Sequence, residues 1–245
     1  MDVDGLTERL ARIPGVVAVC LGGSRARGEA RPESDWDFGL YYRGRIDVAA
    51  VRALGFAGEV VEPGAWVEVE GERVDLLYRD LDAVEHWIRE AEIGRFEVEP
   101  VPGYIAGMAT YVLVGELALN RVLSGELPRP AYPARLRERA PGWWLGRAAF
   151  FLLYADGYAT RGEAAACAGA LAVAVMAAAQ ARLAERGEWA LNEKGLIERA
   201  GLGAADRLLS AAGAEAEALG RTVAEIRALL RLFPPRGRKL DTIVR

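Results

Sequence analysis

Apolar and polar positions follow different patterns along the first forty residues. Apolar residues at helical spacing predict a short helix from Val3 to Ile13, which Pro14-Gly15 ends. The continuous apolar run VVAVCL, Val16 to Leu21, predicts a strand covered on both faces. After a short helix and the turn-forming residues ARPES, the segment DWDFGLYY, Asp35 to Tyr42, predicts a second strand.

The pattern then changes from strands to helices. A helical stretch around Ile46 to Leu54 precedes WVEVEGERVDLLYRD, which predicts two strands joined at Glu70-Gly71-Glu72. Helical spacing dominates afterwards, and no strand signal of comparable quality follows residue 100. The predicted long helices are Leu81 to Ile93, Ile105 to Ser124, Trp143 to Tyr158, Ala164 to Arg186 and Ala204 to Leu232.

These elements predict an α+β protein with two domains. A small mixed β-sheet domain occupies residues 1–98, and an all-helical bundle domain occupies residues 99–245, with the boundary in EVEPVPGY. A chain of 245 residues is long enough for one large domain or two of ordinary size.

Composition and charge narrow the possible partners. Hydrophobic residues make up 52% of the chain and charged residues 27%, which is typical of a globular protein. A net charge of -4 argues against a broad nucleic-acid surface. Cys20 and Cys167 lie far apart in apolar surroundings, so free thiols in a reducing, cytoplasmic compartment are expected. The start of the chain lacks a secretory pattern, and the uncharged run Ala164 to Ala179 predicts a buried helix rather than a membrane span.

Two aspartates on the second strand suggest chemistry. Asp35 and Asp37 share one face of a strand, with Cα atoms about 6.6 Å apart. Two carboxylates at this distance require either neutralisation by a cation or access to water. Oxygen ligands favour Mg²⁺ or Mn²⁺, and magnesium takes only one or two protein carboxylates together with waters and substrate phosphates. The pair therefore predicts a metal and a phosphorylated ligand.

A candidate phosphate cradle precedes these aspartates. Gly22 and Gly23 allow backbone N–H groups to approach an anion, and Ser24 adds a hydroxyl at the start of a helix. Arg27 lies one helical turn further and could reach the same anion, whereas Arg25 could equally point to solvent.

These residues resemble a known family. The pattern G-S-x-x-R at Gly23 to Arg27, followed by D-x-D at Asp35 to Asp37 and by Asp75 on a hairpin strand, is similar to that of the DNA-polymerase-β-like nucleotidyltransferases. The helical remainder resembles the substrate-binding domains of antibiotic nucleotidyltransferases, including aminoglycoside and lincosamide adenylyltransferases. Within it, LNEKG at Leu191 to Gly195 resembles a segment of some of these relatives.

The resemblance implies a reaction and a set of roles. An NTP, ATP by preference, would donate AMP to a hydroxyl of a small molecule such as an aminoglycoside and release pyrophosphate. The implied nucleotide-binding residues are Gly23, Ser24, Arg27 and Lys194. For Lys194, the alternative is an ordinary solvent-exposed lysine without a role at the nucleotide. The implied catalytic and metal-binding residues are Asp35, Asp37 and Asp75, holding Mg²⁺ or Mn²⁺.

Several alternatives remain open at this stage. The acceptor could instead be RNA or a protein, or the chain could be a nucleotide-binding regulatory module without turnover. Nucleic acid and membrane are not expected as partners, and both a monomer and a homodimer are possible. Glu116 and Glu193 are candidates for a further catalytic glutamate. Packing is the favoured role for Trp143-Trp144, and solvation of the terminus is favoured for the basic residues Arg236, Arg238 and Lys239.

Overall fold

The computed structural model describes residues 1–232, and the chain divides into two compact units. The first unit comprises Met1–Val98 and Ala109–Leu136. The second comprises Glu99–Met108 and, of the described chain, residues 137–232. The functional division after residue 98 stays a prediction.

A six-stranded mixed sheet forms the centre of the first unit. Its strands are β1 (Val16–Leu21), β2 (Trp36–Tyr42), β3 (Ala57–Val61), β4 (Gly64–Val69), β5 (Glu72–Asp80) and β8 (Arg121–Ser124), and two short strands are β6 (Val98–Glu99) and β7 (Met108–Ala109). The sheet order is β3-β4-β5-β2-β1-β8. Only β2 and β5 run parallel among these neighbours. The predicted mixed sheet is therefore confirmed.

Helices flank the sheet and then form the remainder of the described chain. The first five are α1 (Val3–Ala11), α2 (Gly23–Arg27), α3 (Val48–Arg52), α4 (Leu81–Glu92) and α5 (Val112–Leu119). The helical region that follows consists of α6 (Ala134–Thr160), α7 (Ala164–Arg186), α8 (Leu196–Arg199), α9 (Ala204–Ser210) and α10 (Ala216–Leu230). A sheet domain followed by a helical region, as the sequence predicts, is confirmed.

The apolar run of β1 is explained by burial on both of its faces. One face, with Val19 and Leu21, belongs to a large core that includes α1. The other face, with Ala18 and Cys20, packs in a smaller cluster with residues of α4 and α5. Desolvation raises the pKa of the Cys20 thiol to about 12. This buried strand carries the glycine turn that begins the candidate site.

Both edge strands are missing from the sequence-based prediction. The predicted helix from Ile105 to Ser124 is correct only over α5, because β7 precedes α5 and β8 follows it and pairs antiparallel with β1. On the other edge, β3 is mostly exposed and contains Gly58 at a φ of 133°. Edge strands of this kind lack the regular alternation that identifies a half-buried strand, so their pairing decides their conformation.

Two of the helices predicted in the second part of the chain have different bounds in the structure. Helix α6 begins nine residues before Trp143 and carries Pro141 inside it, although proline usually marks a helix boundary. The predicted helix from Ala204 to Leu232 is interrupted, since α9 ends at Ser210 and α10 begins at Ala216. The basic tail with Arg236, Arg238 and Lys239 lies outside the described residues.

Helix α7 is the core helix of this region. It is long and apolar enough to cross a membrane by length and composition, but 56% of its most apolar window is buried inside the protein. Twelve of its residues are buried, and Cys167 is among them as a free thiol. The predicted buried helix is therefore present.

Candidate active site

Two of the predicted aspartates are neighbours on adjacent strands. Asp37 on β2 lies in register with Asp75 on the parallel strand β5. Neighbouring strands are about 4.8 Å apart, and in-register residues project from the same face. On the opposite face, Phe38 and Leu76 are fully buried in the main core. Alternation along the strands therefore directs both aspartates away from that core.

The glycine turn after β1 lies directly against Asp37. The backbone N–H of Gly22 donates to the Asp37 carbonyl oxygen at 2.7 Å. Gly23 has a φ of 59°, and a Cβ at this position would lie 1.8 Å from Asp37 Oδ2. Glycine is thus required by both the left-handed backbone and the close approach of the carboxylate. Gly23 and Asp37 are therefore brought together, and Ser24 of α2 is the next residue of the chain.

Asp35 has a different environment from Asp37. It precedes β2, and its Oδ1 lies 2.8 Å from Arg73 Nε in an ion pair without a hydrogen bond to that oxygen. Arg73 also donates through Nη2 to the Glu33 carbonyl oxygen at 2.9 Å. The sequence predicts that a metal neutralises the Asp35 carboxylate. In the structure, the cation beside this carboxylate is the guanidinium of Arg73.

The ion pair of Arg73 with Asp35 could be predicted from the sequence only if the register between β2 and β5 were known. It precedes Asp75 by two residues, as Asp35 precedes Asp37. Once Asp37 and Asp75 are paired, alternation along each strand places Arg73 on the same side as Asp35. The parallel pairing of β2 with β5 therefore explains this ion pair.

The two arginines of α2 have contacts of their own. Arg25 donates through Nη2 to the Ser34 carbonyl oxygen at 2.6 Å and through Nε to the Asp35 carbonyl oxygen at 3.2 Å. Its guanidinium also lies over the Trp36 ring, 4.1 Å from the centroid. Arg25 thus stabilises the loop that carries Asp35 and does not point to solvent. Arg27 Nε contacts Glu29 Oε2 at 2.8 Å, and its role at a phosphate stays a prediction.

Both candidate glutamates, Glu116 and Glu193, accept hydrogen bonds that give them a structural role. Glu116 on α5 accepts from Arg79 Nε at 2.6 Å and from Arg79 Nη2 at 2.8 Å, and both side chains are largely buried. In the second unit, Glu193 accepts from the backbone N–H groups of Ile105 at 2.6 Å and Ala106 at 2.8 Å. Each carboxylate therefore stabilises the local fold through charge-assisted hydrogen bonds.

Lys194 belongs to the second unit and is exposed. Its backbone N–H donates to Asn192 Oδ1 at 3.0 Å. The proposed contact of its side chain with a triphosphate stays a prediction.

The carboxylates of Asp37 and Asp75 are adjacent, whereas that of Asp35 is paired with Arg73. Among residues 1–232, no group of three or more His, Cys, Asp or Glu side chains is arranged to hold a metal. Asp37 and Asp75 nevertheless provide the one or two carboxylates with which Mg²⁺ is usually bound, when waters and substrate phosphates complete the shell. Asp35 would have to leave Arg73 before it could join them.

A cavity of the first unit lies away from the aspartate pair. Its volume is about 730 Å³, and its lining includes Tyr42, Arg45 and Arg52. Tyr42 ends β2, whereas Asp37 lies five residues earlier, about 16 Å along a strand. This cavity therefore does not contain the aspartate pair.

Comparison with known proteins identifies the domain that carries this geometry. Residues 3–85 match a family model described as Nucleotidyltransferase domain. This range includes the glycine turn, Asp35, Asp37 and Asp75. The predicted enzyme class, a nucleotidyltransferase, is confirmed at this level.

Other comparisons add little. No curated protein matches the chain. Among solved structures, the chain is similar to a nucleotidyltransferase-like protein from Exiguobacterium sibiricum 255-15, with 11% sequence identity and a TM-score of 0.44 over 92% of this chain and 72% of that chain.

The contact between Gly23 and Asp37 can be tested with a matched pair of variants. Gly28 also has a left-handed φ, 72°, but a Cβ there would meet no atom within 4 Å. Gly23→Ala and Gly28→Ala should share a backbone cost of about 1–2 kcal/mol. Gly23→Ala must also displace the Asp37 carboxylate, so its free energy of unfolding should fall by roughly a further 1–3 kcal/mol in chemical denaturation. Equal losses in the two variants would contradict the close approach.

Proposed function

We propose that the protein transfers AMP from ATP to a hydroxyl of a small molecule, such as an aminoglycoside-type antibiotic, and releases pyrophosphate. One observation carries the proposal: the Gly22-Gly23 turn, Asp37 and Asp75 lie side by side on one face of the sheet. A turn with backbone N–H groups beside paired carboxylates suits metal-assisted transfer from a nucleoside triphosphate.

The glycine turn is the proposed site of the triphosphate. Backbone N–H groups at Gly23 and Ser24, with the Ser24 hydroxyl, would bind the β- and γ-phosphates. Arg27 would exchange its contact with Glu29 for a phosphate oxygen, because a guanidinium binds a dianionic phosphate more strongly than an exposed carboxylate. Lys194 is proposed as a further phosphate ligand.

Asp37 and Asp75 would hold Mg²⁺ or Mn²⁺, and Asp35 would join them after its release from Arg73. Such an ion, when bound, neutralises the triphosphate and lowers the pKa of an acceptor hydroxyl. In the transfer itself, the acceptor oxygen forms a bond to the α-phosphorus while the bond from that phosphorus to pyrophosphate breaks. Asp75 lies on the side of Asp37 away from the turn, and it would take the hydroxyl proton.

The acceptor is proposed to be a small cationic molecule, and the helical part, residues 99–245, is proposed to bind it. A net charge of -4 favours the approach of a cation, although this charge is spread over the whole protein. We also propose that the protein acts in the cytoplasm, where ATP is available and both cysteines stay reduced.

The test is a search for acceptors that gain the mass of one nucleotide. The protein would be incubated with ATP, GTP, CTP or UTP, with Mg²⁺, and with kanamycin A, spectinomycin or lincomycin. Asp37→Asn and Asp75→Asn should each lower the transfer rate by more than about 100-fold, because each removes charge that stabilises the transition state.

Asp4→Asn is the matched control. Asp4 is exposed on α1, which packs against the opposite face of the sheet, so this variant should keep the wild-type rate. Transfer by wild type that is unchanged in Asp37→Asn would overturn the assignment of the site. A wild-type protein that modifies no acceptor would overturn the proposed reaction.

The Asp35–Arg73 ion pair gives a separate prediction. If Asp35 helps to bind the metal, Arg73 competes with the metal for its carboxylate. Arg73→Gln should then lower the Mg²⁺ concentration for half-maximal activity by up to about fivefold, the limit set by an exposed ion pair. Arg12→Gln, which alters an exposed pair on α1, should leave this concentration unchanged. An unchanged value in Arg73→Gln would remove Asp35 from the metal site.

A further inference from the structure

An exposed tryptophan lies beside the aspartate pair. Trp66 on β4 is directly opposite Asp75 on the antiparallel neighbour β5. Because Asp75 is in turn in register with Asp37, the three side chains form one row across three strands, on one face of the sheet. The row continues to the turn at Gly22, whose N–H binds the Asp37 carbonyl oxygen.

Trp66 is not needed for the core of β4. The core face of this strand carries Ala65 and Val67, which are buried, whereas Trp66 is 45% exposed on the opposite face. Next to it on the same face is Gly64, where a Cβ would lie 3.8 Å from Trp66 Cη2. The indole therefore extends along the sheet surface toward a residue without a side chain.

Carboxylates border this indole. Glu59 on β3 is directly opposite Trp66, and Glu68 follows it by two residues on β4, so both are on the same face. Both glutamates are exposed, and Asp75 borders the ring on the remaining strand. Arg73 on β5 is directly opposite Glu68 and offsets part of this negative charge, whereas Glu59 on β3 and the ring quadrupole favour a cation beside the indole.

The order of the row assigns Trp66 to one side of the reaction. The proposed phosphate turn is on the far side of Asp37, and Trp66 is on the far side of Asp75, about 10 Å from Asp37 across two strand spacings. In an in-line displacement, the acceptor approaches the α-phosphorus opposite to the leaving pyrophosphate. Trp66 is therefore on the acceptor side.

We propose that Trp66 is one of the surfaces on which the acceptor packs, besides the helical part proposed above, and that this acceptor has a saturated ring bearing a protonated amine. The apolar face of the ring would lie on the indole, and the amine would lie near Glu59 or Glu68. This inference rests on the proposed nucleotidyl transfer, and it makes Trp66 a specificity-determining residue that acts on binding rather than on bond formation.

The experiment compares steady-state kinetics of wild type, Trp66→Ala and Trp66→Phe with kanamycin A and ATP. Loss of a ring contact worth about 1–2 kcal/mol should raise the KM for kanamycin A by roughly 5- to 30-fold in Trp66→Ala. Trp66→Phe keeps an aromatic ring and should stay within about threefold of wild type. The KM for ATP should be unchanged in both. Ile93→Ala removes an equally exposed apolar side chain from the end of α4 and is the matched control.

A binding measurement covers the case in which Trp66→Ala folds poorly. Protein labelled with 5-fluorotryptophan gives one ¹⁹F resonance for Trp66, which is assigned by its loss in Trp66→Phe. Kanamycin A should shift this resonance, and ATP with Mg²⁺ alone should not. Glu59→Gln combined with Glu68→Gln should weaken kanamycin A binding and reduce its dependence on salt.

The outcomes separate this inference from the proposed function. Transfer that continues with an unchanged KM for kanamycin A in Trp66→Ala would overturn the inference alone. A raised KM for ATP with an unchanged KM for kanamycin A would mean that the ring contacts the nucleobase, which also overturns it. Absence of transfer by wild type to every acceptor would overturn the proposed function, and the inference with it.

Discussion

The parallel pairing of β2 with β5 is the constraint on which the candidate site depends. It places Asp37 beside Asp75, and the same register brings Arg73 to Asp35. Antiparallel pairing on the two sides of these strands adds Trp66 at one end of the row and the glycine turn at the other. A shift of one residue between β2 and β5 would move Asp75 and Arg73 to the face opposite Asp37 and Asp35.

The fold can tolerate this concentration of charge because the opposite face supplies stability. Phe38, Leu40, Val74 and Leu76 are fully buried there, and each contributes about 1.5–3 kcal/mol. A pair of like charges on neighbouring strands, here Asp37 and Asp75 at half-buried positions, costs on the order of 1 kcal/mol. Burial on the opposite face therefore outweighs repulsion between the two carboxylates.

The sequence predicted the parts of the molecule that have a local pattern. The run of β1 is apolar because both of its faces are buried. In the hairpin of β4 and β5, apolar and polar residues alternate because only one face is buried. The two glycines before Ser24 identify a turn, and at Gly23 no larger residue fits without displacing the Asp37 carboxylate. The Asp35–Arg73 pair and the position of Trp66 could not be predicted, because they depend on strand register. The edge strands β3 and β8 were missed for the same reason.

The most direct measurement is the binding of Mn²⁺ in the presence of a non-hydrolysable ATP analogue, followed by electron paramagnetic resonance. Wild type should bind Mn²⁺ together with the analogue, and both Asp37→Asn and Asp75→Asn should bind it at least about tenfold more weakly, since each removes one of the carboxylates available to the ion. Equal Mn²⁺ binding by wild type and both variants would show that the aspartate pair is not the metal and nucleotide site.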